Sequence, residues 1–283
     1  ETDTGENVYN LEVEEDHSYI VNSVAVHNCV GWCNSFAVEV AHNISEVSDY
    51  EVDLSAGWMY QKSREYAGIP LPEEGSTNFG AMKALNKVGI CSEDLCKTDV
   101  VKPFDFEPND GADVDANQRK IHSYYRVATN PTSMKSALMG LTHDPGYTMP
   151  DGSVGLCPVV ASYKVYNTFR DGFTNGGFVP LPQPGDGLLG GHSSLIIGWT
   201  VIDGKEYWIN YNSWGTEIGG KLKNSNGEDI AGLFFLPIEY PFMDAWVFAI
   251  NDPVNPPPPK PKGWGCKIAK WLMDVFDCNG GEE

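Results

Sequence analysis

The segments that decide the fold are 189–199, with the sequence LGGHSSLIIGW, and 207–215, with the sequence YWINYNSWG. Each contains a run of β-branched, aromatic and other apolar residues, which is typical of a strand buried in a sheet. An Asp-Gly dipeptide at 203–204 lies between them and favours a tight hairpin turn. The two segments therefore predict neighbouring strands, with His192 near the start of the first and Asn212 at the end of the second.

The first half of the chain has the spacing of helices. Apolar residues recur at i, i+4 and i+8 between residues 36 and 44, and we expect a helix that begins at about Cys33. Two further helical stretches are predicted at 56–67 and 77–88. Ser55 is a suitable N-cap for the second helix, and Gly68 a suitable stop. A helix-rich half followed by a strand-rich half predicts an α+β fold of two lobes with a cleft between them.

Composition excludes several classes of function. The chain has 39 acidic and 19 basic residues and a net charge of −20, which repels a phosphate backbone and disfavours nucleic-acid binding. The sequence has no apolar run of the length that crosses a bilayer, so no membrane span is predicted. The glycine patterns of nucleotide-binding loops are also missing from the sequence.

Four regions differ in composition. An acidic, strand-forming segment precedes a mixed central region, and a stiff linker with six prolines between residues 253 and 262 follows that region. The amphipathic tail is compatible with a docking or capping helix and with a membrane-binding one. We set the expected boundaries at 1–28, 29–250 (a helical lobe over 29–117 and a β-rich lobe over 118–250), 251–262 and 263–283.

Three segments resemble the papain family of cysteine peptidases. The first is 29–37, CVGWCNSFA; the others are the two strands quoted above, the second of which contains the family's Asn-Ser-Trp-Gly unchanged. The resemblance implies that Cys33 is the nucleophile and His192 the general base. It also implies that Asn212 fixes the imidazole tautomer and that Trp214 shields their hydrogen bond from water.

The family chemistry explains these residue types. A cysteine at the N-terminus of a long helix has a lowered thiol pKa and attacks the peptide carbonyl as a thiolate, with no cofactor or metal. Stretches such as 232–237 also look like prokaryotic or viral members of the family. The resemblance further assigns Gly75, Ser76 and Gly191 to substrate binding. The implied fold is the two-lobe papain-like one, with a helical lobe and a β-barrel-like lobe.

Alternatives to the peptidase remain open. The family has an aromatic residue where this chain has Asn34, which allows an inactive papain-fold binding scaffold. A lone histidine such as His192 ahead of an apolar strand is often a core residue. A cell-wall amidase with a cysteine–histidine pair is a further rival, although that class lacks the Asn-Ser-Trp-Gly block.

Residues 8–29 resemble the C-terminal end of an intein, with the last strands of its Hint domain followed by His27, Asn28 and Cys29. The resemblance implies that the Cys29 thiolate attacks an upstream thioester. His17 and His27 would assist proton transfer, and the Asn28 amide would cyclise and cleave the 28–29 bond. An acidic propeptide with a chance His-Asn-Cys is the alternative.

The intein resemblance implies a partner. The N-terminal intein half would be supplied in trans or upstream, joined to the missing host segment. His27 lies six residues before Cys33, where papain-like enzymes have an oxyanion-hole glutamine, so we expect the missing segment to end in Gln-Gly. Splicing would then complete the peptidase, and the unspliced chain would be a poor enzyme. Protein trans-splicing as the main activity, with an incidental host, is a further alternative.

The chain has seven cysteines, an odd number without the spacing of a disulfide framework. Cys91 and Cys96 have no second pair of metal ligands nearby. We expect them to be buried or loop cysteines, with a zinc site as the alternative. The cellular compartment is not indicated.

Overall fold

The computed structural model describes residues 20–21, 24–25, 29–45, 52–70, 75–98, 107–139, 158–223 and 229–250. The predicted linker and tail, and the histidines and asparagine of the intein resemblance, lie outside the described residues.

Helices dominate the first part of the described chain and strands the second. The helices are α1 (Cys29–Ser45), α2 (Ala56–Ala67), α3 (Asn78–Lys87), α4 (Ala112–Asn117), α5 (Pro131–Leu138) and α6 (Asp171–Thr174), the last preceded by a 3-10 turn at Asn167–Arg170. The strands are β1 (Ile20–Val21), β2 (Val24–Ala25), β3 (Ile121–Arg126), β4 (Val159–Tyr166), β5 (Leu188–Ile202), β6 (Lys205–Tyr211), β7 (Gly220–Lys223), β8 (Asp229–Pro237) and β9 (Phe242–Ile250).

The second and third helices follow the sequence-based expectation. The Ser55 hydroxyl accepts a hydrogen bond from the Trp58 N–H at 2.9 Å and caps α2, and Gly68 ends that helix in the left-handed conformation, with φ of 72°. Thr77 caps α3 in the same way through the N–H of Gly80. The polar caps and the glycine therefore act as the helix signals that the sequence indicated.

The first helix departs from the expectation. It was predicted to begin at about Cys33, but α1 begins one turn earlier, at Cys29. The reason is that its first turn already belongs to the buried surface: Val30 is buried, and Gly31 packs so tightly on α2 that a Cβ atom there would lie 2.3 Å from the Ala56 carbonyl oxygen. The close contact with α2 thus extends the helix towards its N-terminus.

Seven strands form one antiparallel sheet in the order β3-β9-β4-β5-β6-β8-β7. The predicted hairpin joins β5 to β6, with Ile202 paired to Lys205. Asp203 and Gly204 both have positive φ, 50° and 74°, as a type I′ turn requires. The hairpin brings the two segments that decided the fold side by side.

The two faces of this sheet belong to two hydrophobic clusters. Leu195 and Ile197 of β5 pack in the cluster that contains α1, α2 and α3, whereas Ile196 packs in the cluster on the other face. Because successive side chains of a strand point to opposite faces, burial on both faces requires the unbroken apolar run seen in the sequence.

The short strands β1 and β2 pair with each other, Ile20 with Ala25 and Val21 with Val24. They were expected to be the last strands of a Hint domain. A two-stranded hairpin of this size occurs in many folds, so it does not identify that domain.

Cys91 and Cys96 are free, buried thiols that hydrogen-bond to each other. Their backbone carbonyls also hold Ser55, by accepting from its N–H at 2.9 Å and from its hydroxyl at 2.6 Å. The expectation that both are buried is confirmed. Within the described ranges, no group of three His, Cys, Asp or Glu is arranged to hold a metal ion, and none of the helices has the length and apolarity of a membrane span.

Candidate active site

The histidine and asparagine of the two diagnostic segments meet at one end of the β5–β6 hairpin. His192 lies in β5, paired with Tyr163 of β4, and Asn212 is the first residue after β6. Nε2 of His192 lies 3.0 Å from Oδ1 of Asn212, and both residues are buried.

The orientation of the Asn212 amide is fixed independently of the histidine. Its Oδ1 atom also accepts the backbone N–H of Ser213 at 2.8 Å, which an amide nitrogen in that position could not do. His192 must therefore be the donor, with its proton on Nε2. The neutral imidazole then presents Nδ1 as a lone pair, and this buried atom has no hydrogen-bond partner among the residues that the structure describes.

Aromatic rings enclose the imidazole. Trp214 stacks on it with ring centroids 4.7 Å apart and planes at 22°, and Tyr163 meets it edge-on at 5.6 Å. Burial lowers the pKa of His192 to about 4, although the hydrogen bond to Asn212 opposes the shift. The imidazole is consequently neutral at pH 7 and able to accept a proton through Nδ1.

Cys33, the expected nucleophile, lies inside the second turn of α1 and is only 4% exposed. Its Sγ atom is 3.1 Å from the hydroxyl of Ser193 and 3.5 Å from the carbonyl oxygen of Val30. Burial raises its thiol pKa well above the ordinary value, and the nearby Asp244 and Cys29 add to that effect.

Cys29, assigned to splicing from the sequence, is the first residue of α1 and is half-buried. The backbone N–H groups of Ser193, of Val30 and of Cys29 itself lie near its thiol. Burial raises the pKa of this thiol, and the three N–H groups oppose the rise because they stabilise a thiolate.

A buried polar network lies beneath the cysteines. The Ser193 hydroxyl donates to Oδ1 of Asn78 at 2.8 Å, and this oxygen also accepts from Nδ2 of Asn34 at 3.3 Å. Nδ2 of Asn78 in turn donates to Asp244 at 3.3 Å. Asn34, the departure from the family pattern, is thus a buried structural residue, whose Nδ2 also donates to the Val30 carbonyl at 2.8 Å.

The other expected site residues have mixed positions. Gly75 and Ser76 precede Asn78 at the start of α3; Gly75 is exposed, with φ of 93°, and the Ser76 hydroxyl pairs with that of Ser63. Gly191 is exposed, next to His192 on β5. His17, His27 and Asn28 lie outside the described residues.

The sequence reasoning missed Ser193 and Asn78 as neighbours of the cysteines. A polar residue at the start of the third predicted helix was a visible signal for Asn78, but its partner on β5 is distant in the chain. The proximity of Cys29 to β5 was missed because its position in the splice-junction pattern explained it without reference to the peptidase.

Comparison with known proteins gives the family context. A family model described as "Papain family cysteine protease" matches residues 37–222, a range that includes His192 and Asn212 but begins after both cysteines of α1. The cathepsin B-like cysteine proteinase 3 of Caenorhabditis elegans is 45% identical over 64 residues, which are 23% of this chain and 16% of that protein. The gut-specific cysteine proteinase of the same nematode is 36% identical over 78 residues, 27% of this chain and 22% of that protein. The matches therefore span about a fifth of the length of these relatives.

Solved structures show the same fold. Xylellain, a cysteine protease from Xylella fastidiosa, aligns with a TM-score of 0.62 and 20% identity over 87% of this chain and 88% of its own. The bromelain protease from Ananas comosus, solved with the E64 inhibitor, aligns with a TM-score of 0.52 and 17% identity over 80% of this chain and 90% of its own. The helices and antiparallel sheet described above thus form a papain-like fold.

Proposed function

Since the chain belongs to the papain family of cysteine proteases, we propose that it is a cysteine-type endopeptidase with a triad of an α1 cysteine, His192 and Asn212. The sequence resemblance assigns the cysteine to Cys33. The observation that carries the proposal is the imidazole of His192, oriented by Asn212 at 3.0 Å and left with a buried, unpartnered Nδ1 among the described residues.

The proposed reaction proceeds in two acyl-transfer steps. The thiol gives its proton to Nδ1 of His192, and the sulfur forms a bond to the carbonyl carbon of the peptide. The proton then passes from His192 to the leaving amine as the C–N bond breaks, which leaves a thioester on the cysteine. Water hydrolyses the thioester with His192 as the base and restores the thiol. This route needs no cofactor.

The proposed substrate is an extended peptide bound between two lobes, a helical one over 29–117 and a β-rich one over 118–250. Gly75, Ser76 and Gly191 are proposed to contact it. The exposed position of Gly191 supports this role, because a backbone without a covering side chain can be approached closely by a peptide. Gly75 is also exposed, but its N–H donates to Tyr60 at 3.1 Å and its carbonyl accepts from Arg64 at 2.8 Å.

The test is turnover of fluorogenic peptides and covalent labelling by E64, the inhibitor carried by the bromelain structure. We expect labelling and turnover in the wild-type chain once the missing host segment has been joined to Cys29. Both should be lost in His192→Ala. The exposed His122 provides the matched control, His122→Ala, which should keep both. A chain that neither labels nor turns over peptide would be an inactive scaffold with this fold.

We propose protein splicing as a second function, carried by the block of residues 8–29 that ends in His27, Asn28 and Cys29. The Cys29 thiolate would attack the thioester that joins the upstream host segment to the N-terminal intein half, and the thiol of that half would leave. The side-chain amide nitrogen of Asn28 would then attack the backbone carbonyl carbon of the same residue. This step would form a succinimide and release the amine of Cys29. An S-to-N acyl shift would complete the new peptide bond.

Splicing is testable apart from proteolysis. The chain is mixed with a candidate N-terminal intein half fused to a host segment, and the products are weighed by mass spectrometry. We expect a ligated product that lacks residues 1–28, and none from Asn28→Ala. We also expect the ligated product to turn over peptide faster than the unspliced chain; equal rates would contradict the idea that splicing completes the peptidase.

A further inference from the structure

Two cysteines lie one turn apart in α1, and only one can act as nucleophile. We infer that this residue is Cys29 and that Cys33 supports it from below. The inference rests on the proposed peptidase function and changes the assignment within it.

The first argument is the position of each thiol along the helix. The N–H groups of the first helical turn have no partner within the helix, so this end of the helix stabilises a negative charge. Cys29 occupies that end, and the nearby N–H groups of Val30 and of Cys29 itself act to lower the pKa of its thiol. Cys33 lies a full turn further in, where backbone N–H groups bond to carbonyls of the preceding turn.

The second argument is the end of the β5–β6 ladder. The pairing of β5 with β6 stops at Leu195 and Tyr211, before it reaches Ser193. The Ser193 N–H therefore has no partner on β6, and it lies near enough to the Cys29 thiol to lower the pKa of that thiol. Because Ser193 directly follows His192, the Cys29 thiol lies beside the strand position next to the imidazole.

The third argument is the face of the strand. Successive side chains of a strand point to opposite faces, so the side chains of Ser193 and His192 diverge. Cys33 contacts the Ser193 side chain at 3.1 Å and is consequently directed away from the imidazole. Cys29 lies beside the backbone of Ser193 instead of its side chain. Its thiol is therefore not held on the sheet face opposite His192 and can approach the imidazole.

The fourth argument is the set of contacts around the Cys33 thiol. The Ser193 hydroxyl donates to Asn78 at 2.8 Å, so its oxygen can accept from the Cys33 thiol, and the Val30 carbonyl oxygen is a second acceptor at 3.5 Å. A thiol that is 4% exposed, with these acceptors beside it, can neither ionise readily nor reach a peptide carbonyl. Cys29 is half-buried and has only hydrogen-bond donors around its sulfur in the described contacts.

The experiment maps reactivity on the wild-type chain, so it does not depend on a variant that folds. Folded protein is treated with limiting iodoacetamide between pH 5 and 9, and each cysteine-containing peptide is quantified by mass spectrometry. We expect Cys29 to be alkylated at least about tenfold faster than Cys33 at pH 7, because its half-buried sulfur is more accessible and its pKa is raised less than that of Cys33. Faster alkylation of Cys33 would overturn the inference.

Variants provide the second measurement; they are made in a chain in which the host segment is encoded directly ahead of residue 29, so that no splicing is needed, and circular dichroism verifies the fold. Cys29→Ala should abolish E64 labelling and lower peptide turnover at least about 10³-fold, as expected for a lost nucleophile. Cys33→Ser keeps a hydroxyl donor to Ser193 and should lose no more than about tenfold. Labelling and turnover retained in Cys29→Ala but lost in Cys33→Ser would reject Cys29 and leave the peptidase intact. Absence of both in the wild-type sequence joined to the host segment would instead reject the peptidase itself.

Discussion

The side-chain oxygen of Asn212 accepts two hydrogen bonds, one from Nε2 of His192 at 3.0 Å and one from the N–H of Ser213 at 2.8 Å. The bond from Ser213 fixes the orientation of the Asn212 amide, so that its oxygen and not its nitrogen faces the imidazole. Nε2 of His192 must then be the donor in the other bond. The tautomer of His192 is thereby set by a backbone group that takes no part in the proposed chemistry.

Replacement of Asn212 by Ala should lower kcat/KM by about 10- to 100-fold, the effect of losing a hydrogen bond to a group that becomes charged in the reaction. The measurement is peptide turnover by the completed enzyme. Asn175 is an exposed asparagine in the same β-rich part of the chain, and Asn175→Ala should leave the rate unchanged. An unchanged rate in Asn212→Ala would remove Asn212 from the triad.

Acid should destabilise the fold through His192. Its pKa is about 4 in the folded chain against 6.5 ordinarily, so the unfolded chain binds more protons between these values. Stability therefore falls as the pH drops from 6.5 towards 4, by about 3 kcal/mol for this residue. Urea unfolding at pH 7 and pH 4.5 should show a loss about 2.5 kcal/mol smaller in His192→Gln than in wild type.

The matched control for this pH experiment is His122→Gln on β3, where the histidine is exposed. It should lose as much stability on acidification as the wild-type chain. If His192→Gln also behaved like wild type, the imidazole would not be buried in its neutral form.

Trp214 should contribute through packing on His192 and not through its indole N–H, which has no hydrogen-bond partner in the described part of the chain. We expect Trp214→Ala to cost about 3–5 kcal/mol of unfolding free energy, because it opens a cavity beside the imidazole. Trp214→Phe keeps an aromatic ring and should cost about 1–2 kcal/mol. Chemical denaturation measures both, and equal losses would show that the indole N–H matters.

Gly31→Ala should destabilise the protein although alanine is the better helix former. Alanine gains about 1 kcal/mol in an open helix, but the new Cβ would lie 2.3 Å from the Ala56 carbonyl oxygen, and such overpacking costs about 1–3 kcal/mol. The displaced first turn should also slow alkylation of Cys29. Thermal unfolding should separate this variant from Gly187→Ala, whose new Cβ would have its nearest neighbour at 3.8 Å. A raised melting temperature in Gly31→Ala would refute the close contact.

Local signals in the sequence were sufficient for much of the fold. Ser55 and Gly68 delimit α2 as predicted, and the Asp-Gly turn at 203–204 joins β5 to β6, because in each case the deciding interaction lies within a few residues. His192 and Asn212 were found for a similar reason, since their separation is spanned by a single hairpin.

The start of α1 could not be read from local signals. It depends on the contact of Gly31 with Ala56, residues that the intervening loop brings together. The same limit applies to Asn78 and Ser193, which are joined at 2.8 Å although they are 115 positions apart in sequence. Contacts of this range depend on the packing of α1 against β5 and of α3 against β3, β4 and β9, which no periodicity encodes.

The first residue of α1 is also the first residue after the Asn28–Cys29 bond. If the proposed splicing and the proposed nucleophile are both at Cys29, a gene can lose the inserted segment only by a deletion accurate to the codon. A deletion that extends one codon too far removes Cys29 and its thiol. A deletion that stops one codon short leaves Asn28 of the insert directly before the N-terminus of α1. The helix boundary would then favour inheritance of the insert, because nearly every imprecise loss would cost the host its enzyme.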